Sequence, residues 1–144
     1  MRNRPRALCH FICLLFVSTL CAAQGKYAPV TNDDVVTMKL HHYFNKDKKH
    51  HERDFEWTFA DTGFVIKPAS GAIPEDLVEK LLPEGTEAKE ITGKWSIDSK
   101  TGEIVFTDIQ AGDFAGREEV RCPLYRTAPT VIRLGDPQYV FALP

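Results

Sequence analysis

The sequence predicts a mainly β domain, an antiparallel sandwich or small barrel with one short helix packed on the sheet. Three observations support this fold class. Apolar and polar residues alternate over two segments, 36–44 and 55–59, which is typical of strands with one buried face. Turn residues recur between short apolar runs, and only one segment, 74–82, has an apolar stripe of helical spacing.

Residues 1–23 have the layout of a secretory signal peptide. Three arginines precede an apolar run at 11–17, and small residues follow at 21–23. The apolar run is too short to span a bilayer, which takes about 20 residues. We therefore expect an exported protein, periplasmic or extracellular, without a transmembrane anchor. Its mature part is predicted to be a single β-rich domain over residues 24–144.

The two alternating segments are predicted to pair as an antiparallel hairpin. A register that sets Leu40 opposite Phe55 pairs apolar residues along one face. The same register sets His41 opposite Asp54 on the other face. A slip of one residue would destroy both agreements, so the pattern predicts this register specifically.

The remaining elements follow from turn and cap signals. A short strand is expected at 64–67, and Pro74 begins a helix that Pro83 ends. A hairpin with a turn at 99–102 is expected next. Pro123 would confine the strand around it to an edge or a bulge. A last pair of strands is predicted at 131–134 and 139–143.

Composition restricts the class of partner. Without the three arginines of the signal segment, the basic count falls from 18 to 15 against 20 acidic residues, a formal charge of −5. Binding to nucleic acid requires a basic surface, so no nucleic-acid partner is expected. We expect a monomer with an unidentified envelope or extracellular partner. Cys122 is the one cysteine after residue 23 and is expected to be a small buried residue, with an intermolecular disulfide or a reactive thiol as alternatives.

The four histidines after the signal segment all lie within residues 41–51. Imidazole and carboxylate groups are ligands for zinc, copper and nickel, so a divalent metal is a candidate cofactor. In the predicted register, His42 and His51 share one face. The candidate metal site consists of four residues that share the other face: His41, His50, Glu52 and Asp54. The alternatives are a solvated hairpin tip or an anion-binding tip, since residues 39–53 carry a local charge of +3.

Six aromatic residues are predicted to form the core, with a ligand cavity as the alternative: Phe55, Trp57, Phe59, Phe64, Trp95 and Phe106. A nucleophile motif, a paired-carboxylate motif and a glycine-rich phosphate loop are not found in the sequence, which argues against an enzyme.

Gly93-Lys94-Trp95, followed by a strand, a turn at Gly102 and a second strand at 104–106, resembles the Gly-x-Trp opening of lipocalin-like proteins. The resemblance implies a barrel that carries small apolar ligands, and it identifies no ligand-binding residue. The leading functional hypothesis from the sequence is an exported, non-enzymatic binding or interaction module. The alternatives are a metal-binding protein that uses residues 41–51, or a lipocalin-like carrier.

Overall fold

The structure is a computed structural model, and it describes residues 27–45, 48–51, 54–87, 89–135 and 138–144. The predicted signal segment 1–23 lies outside these residues. The described chain forms two short helices, α1 (Asn32–Thr37) and α2 (Glu75–Leu81). Its strands are β1 (Lys39–Asn45), β2 (Lys48–His51), β3 (Phe55–Phe59), β4 (Gly63–Pro68), β5 (Ile91–Ile97), β6 (Ile104–Ala111), β7 (Phe114–Ala115), β8 (Glu119–Cys122), β9 (Leu124–Ala128), β10 (Val131–Leu134) and β11 (Tyr139–Ala142).

The strands form two antiparallel sheets. The first has five strands in the order β2-β1-β11-β10-β9. The second has the order β3-β4-β5-β6-β7, and β8 pairs with β6 along the same edge as β7. The sheets pack face to face, which confirms the predicted antiparallel sandwich; over the described residues they do not close into a barrel.

A cluster of buried aromatic side chains joins the two sheets. Trp57 on β3 contacts Tyr139 and Phe141 on β11, with ring centroids 5.3 and 5.7 Å apart. Such rings bury a large apolar area each, so the cluster accounts for much of the attraction between the sheets. All six residues predicted to form the core are buried: Phe55, Trp57, Phe59, Phe64, Trp95 and Phe106.

Residues 32–37 are helical rather than extended. Thr31 caps α1 with a capping box, in which its hydroxyl accepts from the Asp34 amide and its own amide donates to the Asp34 carboxylate. Val35 is fully buried by this turn. The prediction of a strand that begins at residue 36, and of a single helix, is therefore wrong. Capping outweighs the strand preference of two adjacent valines over so short a segment.

The predicted hairpin between segments 36–44 and 55–59 is also wrong. β1 pairs with β2 on one side and with β11 on the other, while β3 pairs with β4. The apolar residues of the two segments do meet, but across the sandwich: the rings of Tyr43 and Phe55 are 5.2 Å apart in a T-shaped contact. The alternating pattern identifies a buried face and does not distinguish a neighbour in the same sheet from one in the facing sheet.

The other predicted elements form at the positions that prolines, glycines and apolar spacing indicate in the sequence. α2 begins after Pro74 and buries Leu77 and Leu81. Gly102 has a φ of 76° in the turn between β5 and β6, a conformation that glycine adopts without steric cost. The chain passes from the second sheet to the first at Pro123, between β8 and β9. The final hairpin pairs β10 with β11. Neither helix is long and apolar enough to cross a membrane.

Candidate functional site

The histidines lie on a hairpin, β1–β2, at the edge of the five-stranded sheet. The register sets His42 opposite His51 and Tyr43 opposite His50. β2 is the outermost strand of its sheet and pairs with β1 only, within the described strands. Among the described strands, the hairpin therefore forms one edge of this sheet.

A β-bulge interrupts β1 at the first histidines. Leu40 pairs with Phe141 and His42 with Val140, so β1 has one more residue than its partner between these two pairs. A bulge leaves the extra residue unpaired and shifts the alternation by one position. As a result, both Leu40 and Tyr43 pack towards the core although they are three residues apart.

The bulge brings two consecutive imidazole rings together. Nδ1 of His41 lies 2.8 Å from Nδ1 of His42, and the ring centroids are 5.0 Å apart. At this distance one ring donates an N–H and the other accepts through its lone pair. The ring of Phe44 packs edge-on against His42 at 5.2 Å. His41 is exposed and His42 is half-buried, so the pair lies at the protein surface.

The opposite face of the hairpin holds a buried phenol and a carboxylate. The Tyr43 hydroxyl donates a 2.8 Å hydrogen bond to Oδ2 of Asp54. Burial, followed by this hydrogen bond and the charges of Asp54 and Asp76, raises the pKa of Tyr43 well above its usual range. Tyr43 is therefore a neutral donor that fixes Asp54 against the end of β1.

Of the four residues of the predicted metal site, the side chains of His41 and Asp54 are described, and they lie on different faces of the hairpin. His41 is on the outer face with His42, whereas Asp54 contacts Tyr43 on the inner one. His50 occupies the register position opposite Tyr43, and Glu52 lies outside the described residues. No group of three or more His, Cys, Asp or Glu side chains among those described is arranged to hold a metal ion.

The sequence did not predict the contact between the imidazole rings of His41 and His42. Strict alternation places consecutive residues on opposite faces of a strand, so it separates His41 from His42. The available signal was the spacing of Leu40 and Tyr43, two large apolar residues that share a face only if a bulge lies between them.

The segment that resembles the lipocalin motif has an identifiable packing role on β5. Gly93 lies under Phe64, and an added Cβ would be 2.7 Å from Cε1 of that ring. The Trp95 indole N–H donates a 2.7 Å hydrogen bond to the carbonyl of Ala60. Glycine is needed here for close packing, and the tryptophan fixes the turn before β4.

Cys122 is buried, as expected, with 2% of its surface exposed. Burial is the largest cause of a raised pKa of its thiol, partly offset by the neighbouring Lys80. A buried thiol with a raised pKa is a poor nucleophile.

Comparison of the chain with models of protein families, with curated proteins and with solved structures found no match.

Proposed function

We propose that this protein is an exported, non-enzymatic binding module that contacts an acidic partner through the β1–β2 hairpin. The observation that supports the proposal is the position of a basic segment at the edge of the five-stranded sheet, as far as its strands are described. Residues 39–53 have a local charge of +3, and their strands end the order of the five-stranded sheet. The domain that carries this segment is acidic overall.

This separation of charge favours contact with an anionic partner through the hairpin rather than through the rest of the surface. A local positive potential attracts anionic groups and raises the rate of encounter, whereas the acidic remainder of the surface repels them. The exposed ring of His41 and the partly exposed ring of Phe44 add contact area on the same strand. Lysines on an edge strand also discourage pairing with other sheets, which keeps a monomeric binding surface available.

Export and oligomeric state are parts of the same proposal. Residues 1–23 would direct the chain out of the cytoplasm and be removed, and the domain would act as a monomer on a partner other than nucleic acid. The mass of the protein recovered from the extracytoplasmic fraction tests the cleavage, and sedimentation tests the monomer.

The experiment uses a sulfated polysaccharide as the anionic probe, with binding to the purified protein measured at low and at high salt. The test variant is Lys48→Glu with Lys49→Glu on β2. The control is Lys67→Glu with Lys94→Glu on the second sheet, which makes the same change in net charge. Both control lysines are in exposed ion pairs, with Glu56 and Asp108, whose loss costs little stability.

We expect the hairpin variant to bind the probe about tenfold more weakly or worse, and the control to bind within about twofold of the unmodified protein. Salt should weaken the unmodified protein's binding towards that of the hairpin variant. Equal losses in both variants would show that only net charge matters, and no binding by the unmodified protein would refute an acidic partner of this kind.

A further inference from the structure

We propose that the binding surface continues from the hairpin across the outer face of the five-stranded sheet, and that its partner is a linear anionic polysaccharide. This inference rests on the proposed function, because it extends the same surface and names the chemical class of its partner. The residues that carry it form one row across four strands, called the outer row: His42, Val140, Arg133 and Tyr125.

The strand register sets the members of the outer row side by side. Val140 pairs with His42 on one side and with Arg133 on the other. Arg133 in turn pairs with Tyr125. Directly opposed residues of antiparallel strands share a face of the sheet. Neighbouring strands are about 4.8 Å apart, so the row from β1 to β9 spans about 14 Å.

The outer row faces away from the second sheet. Tyr139 and Phe141, which flank Val140 on β11, both contact Trp57 of the second sheet. Successive residues of a strand face opposite sides, so Val140 and the row that it belongs to face outward. The three polar members of the outer row are partly exposed and therefore belong to the protein surface.

The strands of the first sheet contain basic residues and no acidic ones. Over their described ranges, none of its five strands includes Asp or Glu, in a chain with 20 acidic residues. The second sheet differs, because bases there are paired with acids: Lys67 with Glu56 and Lys94 with Asp108. The charge of the first sheet thus complements an anionic partner, and the face that carries Arg133 is the one that such a partner can reach.

The side chains of this face favour a carbohydrate over other anionic partners. An aromatic residue lies at each end: Tyr125 on β9, and on β1 the ring of Phe44, which packs edge-on against His42. Such rings offer apolar area, which suits the C–H faces of sugar rings, and the tyrosine adds a hydroxyl for hydrogen bonding. The guanidinium of Arg133 matches the planar fork of a carboxylate or the oxygens of a sulfate. An anionic polysaccharide presents both kinds of group along one chain, whereas an acidic peptide has the charges without the apolar rings.

The experiment measures binding of the purified protein to dextran sulfate, with uncharged dextran and poly-glutamate as comparison probes. The test variants are Arg133→Gln and Tyr125→Ser. The second sheet supplies a matched control for each: Lys67→Gln removes one charge from an exposed ion pair, and Phe114→Ser removes an exposed ring. Arg133→Lys retains the charge, which separates loss of charge from loss of packing. Circular dichroism verifies that each variant folds.

We expect dextran sulfate to bind about tenfold or more tightly than either comparison probe. Arg133→Gln and Tyr125→Ser should each weaken that binding about fivefold or more, and the two controls should stay within about twofold of the unmodified protein. Arg133→Gln should also reduce the dependence of binding on salt, while Arg133→Lys and Tyr125→Ser should retain it, because salt screens only the charged contact.

Three results would overturn the inference, and they are distinguishable. Weaker binding by the Lys48→Glu, Lys49→Glu variant, with none in Arg133→Gln or Tyr125→Ser, would confine the surface to the hairpin and leave the proposed function standing. Binding of poly-glutamate as tight as that of dextran sulfate would replace the polysaccharide by an acidic protein. Failure of the unmodified protein to bind either anionic probe would refute both the inference and the proposed function.

Discussion

Two buried tyrosines on neighbouring strands differ in the hydrogen bonding of their hydroxyl groups. The Tyr43 hydroxyl donates to Asp54, whereas the Tyr139 hydroxyl has no hydrogen-bond partner among the described residues. Their rings stack with centroids 6.1 Å apart, so both side chains experience a similar apolar environment. An unsatisfied buried hydroxyl costs free energy that a satisfied one does not.

The two tyrosines should therefore respond oppositely to removal of the hydroxyl. Tyr43→Phe leaves Asp54 without its donor and is expected to lower the free energy of unfolding by about 1–2 kcal/mol. Tyr139→Phe removes a buried hydroxyl that has no partner among the described residues, and it should leave stability unchanged or raise it by about 1 kcal/mol. Urea denaturation of both variants measures the difference. Equal destabilisation by the two substitutions would contradict this explanation.

At the level of the elements, the bulges in β1 and β6 control which residues of these strands face the core. The bulge in β1 transfers the inward position from His42 to Tyr43. A second bulge lies in β6, where Thr92 pairs with Gln110 but Lys94 pairs with Thr107. There the buried positions change from Phe106 to Ile109 across Asp108, whose φ of 49° is in the left-handed region. Each strand thus keeps a continuous apolar face despite an irregular spacing.

The positive φ of Asp108 gives a prediction for the second bulge. Asp108→Gly should leave stability unchanged or raise it, because glycine has no steric penalty there and the exposed contact with Lys94 contributes little. Asp108→Val should lower the free energy of unfolding by about 1–2 kcal/mol, since a β-branched residue is strongly disfavoured at this φ. Thermal unfolding compares the two, and a valine variant as stable as the glycine variant would exclude strain at the bulge.

Elements formed by contacts close in sequence were predictable. α2, the β5–β6 hairpin and the β10–β11 hairpin depend on prolines, glycines and apolar spacing within each segment. The sequence predicted a strand in the region of β1 but not its partners, because these are β2, which is short and highly charged, and the distant β11. For the candidate site, the histidine segment was identified from the sequence, whereas the contact between the His41 and His42 rings depends on the bulge in β1.

At the level of the whole molecule, burial of titratable groups connects the fold to pH. Burial is the largest cause of the raised pKa values of Tyr43, Tyr139 and Cys122. The unfolded chain releases these protons near the ordinary values, about 8.5 for cysteine and 10 for tyrosine, while the folded protein retains them. Above those values the folded state binds more protons than the unfolded state, so stability falls as pH rises.

We therefore expect the urea midpoint to decline above about pH 8.5 and more steeply above about pH 10. Measurement of the midpoint from pH 7 to pH 11 tests the trend. Tyr139→Phe should reduce the decline at the alkaline end, because one buried phenol is then absent. A midpoint that does not change over this range would refute the link between burial and alkaline stability.

The sequence by itself determined the mainly β class, the buried aromatic set, the position of α2 and the segment that carries the histidines. These depend on residue type and on spacing over a few positions. Only the tertiary structure decided that α1 is a helix, that the chain end pairs with β1, and that His41 and His42 meet on one face. Pairing between distant strands fixes register and bulges, and a single extra residue in a strand reverses the face of every residue after it.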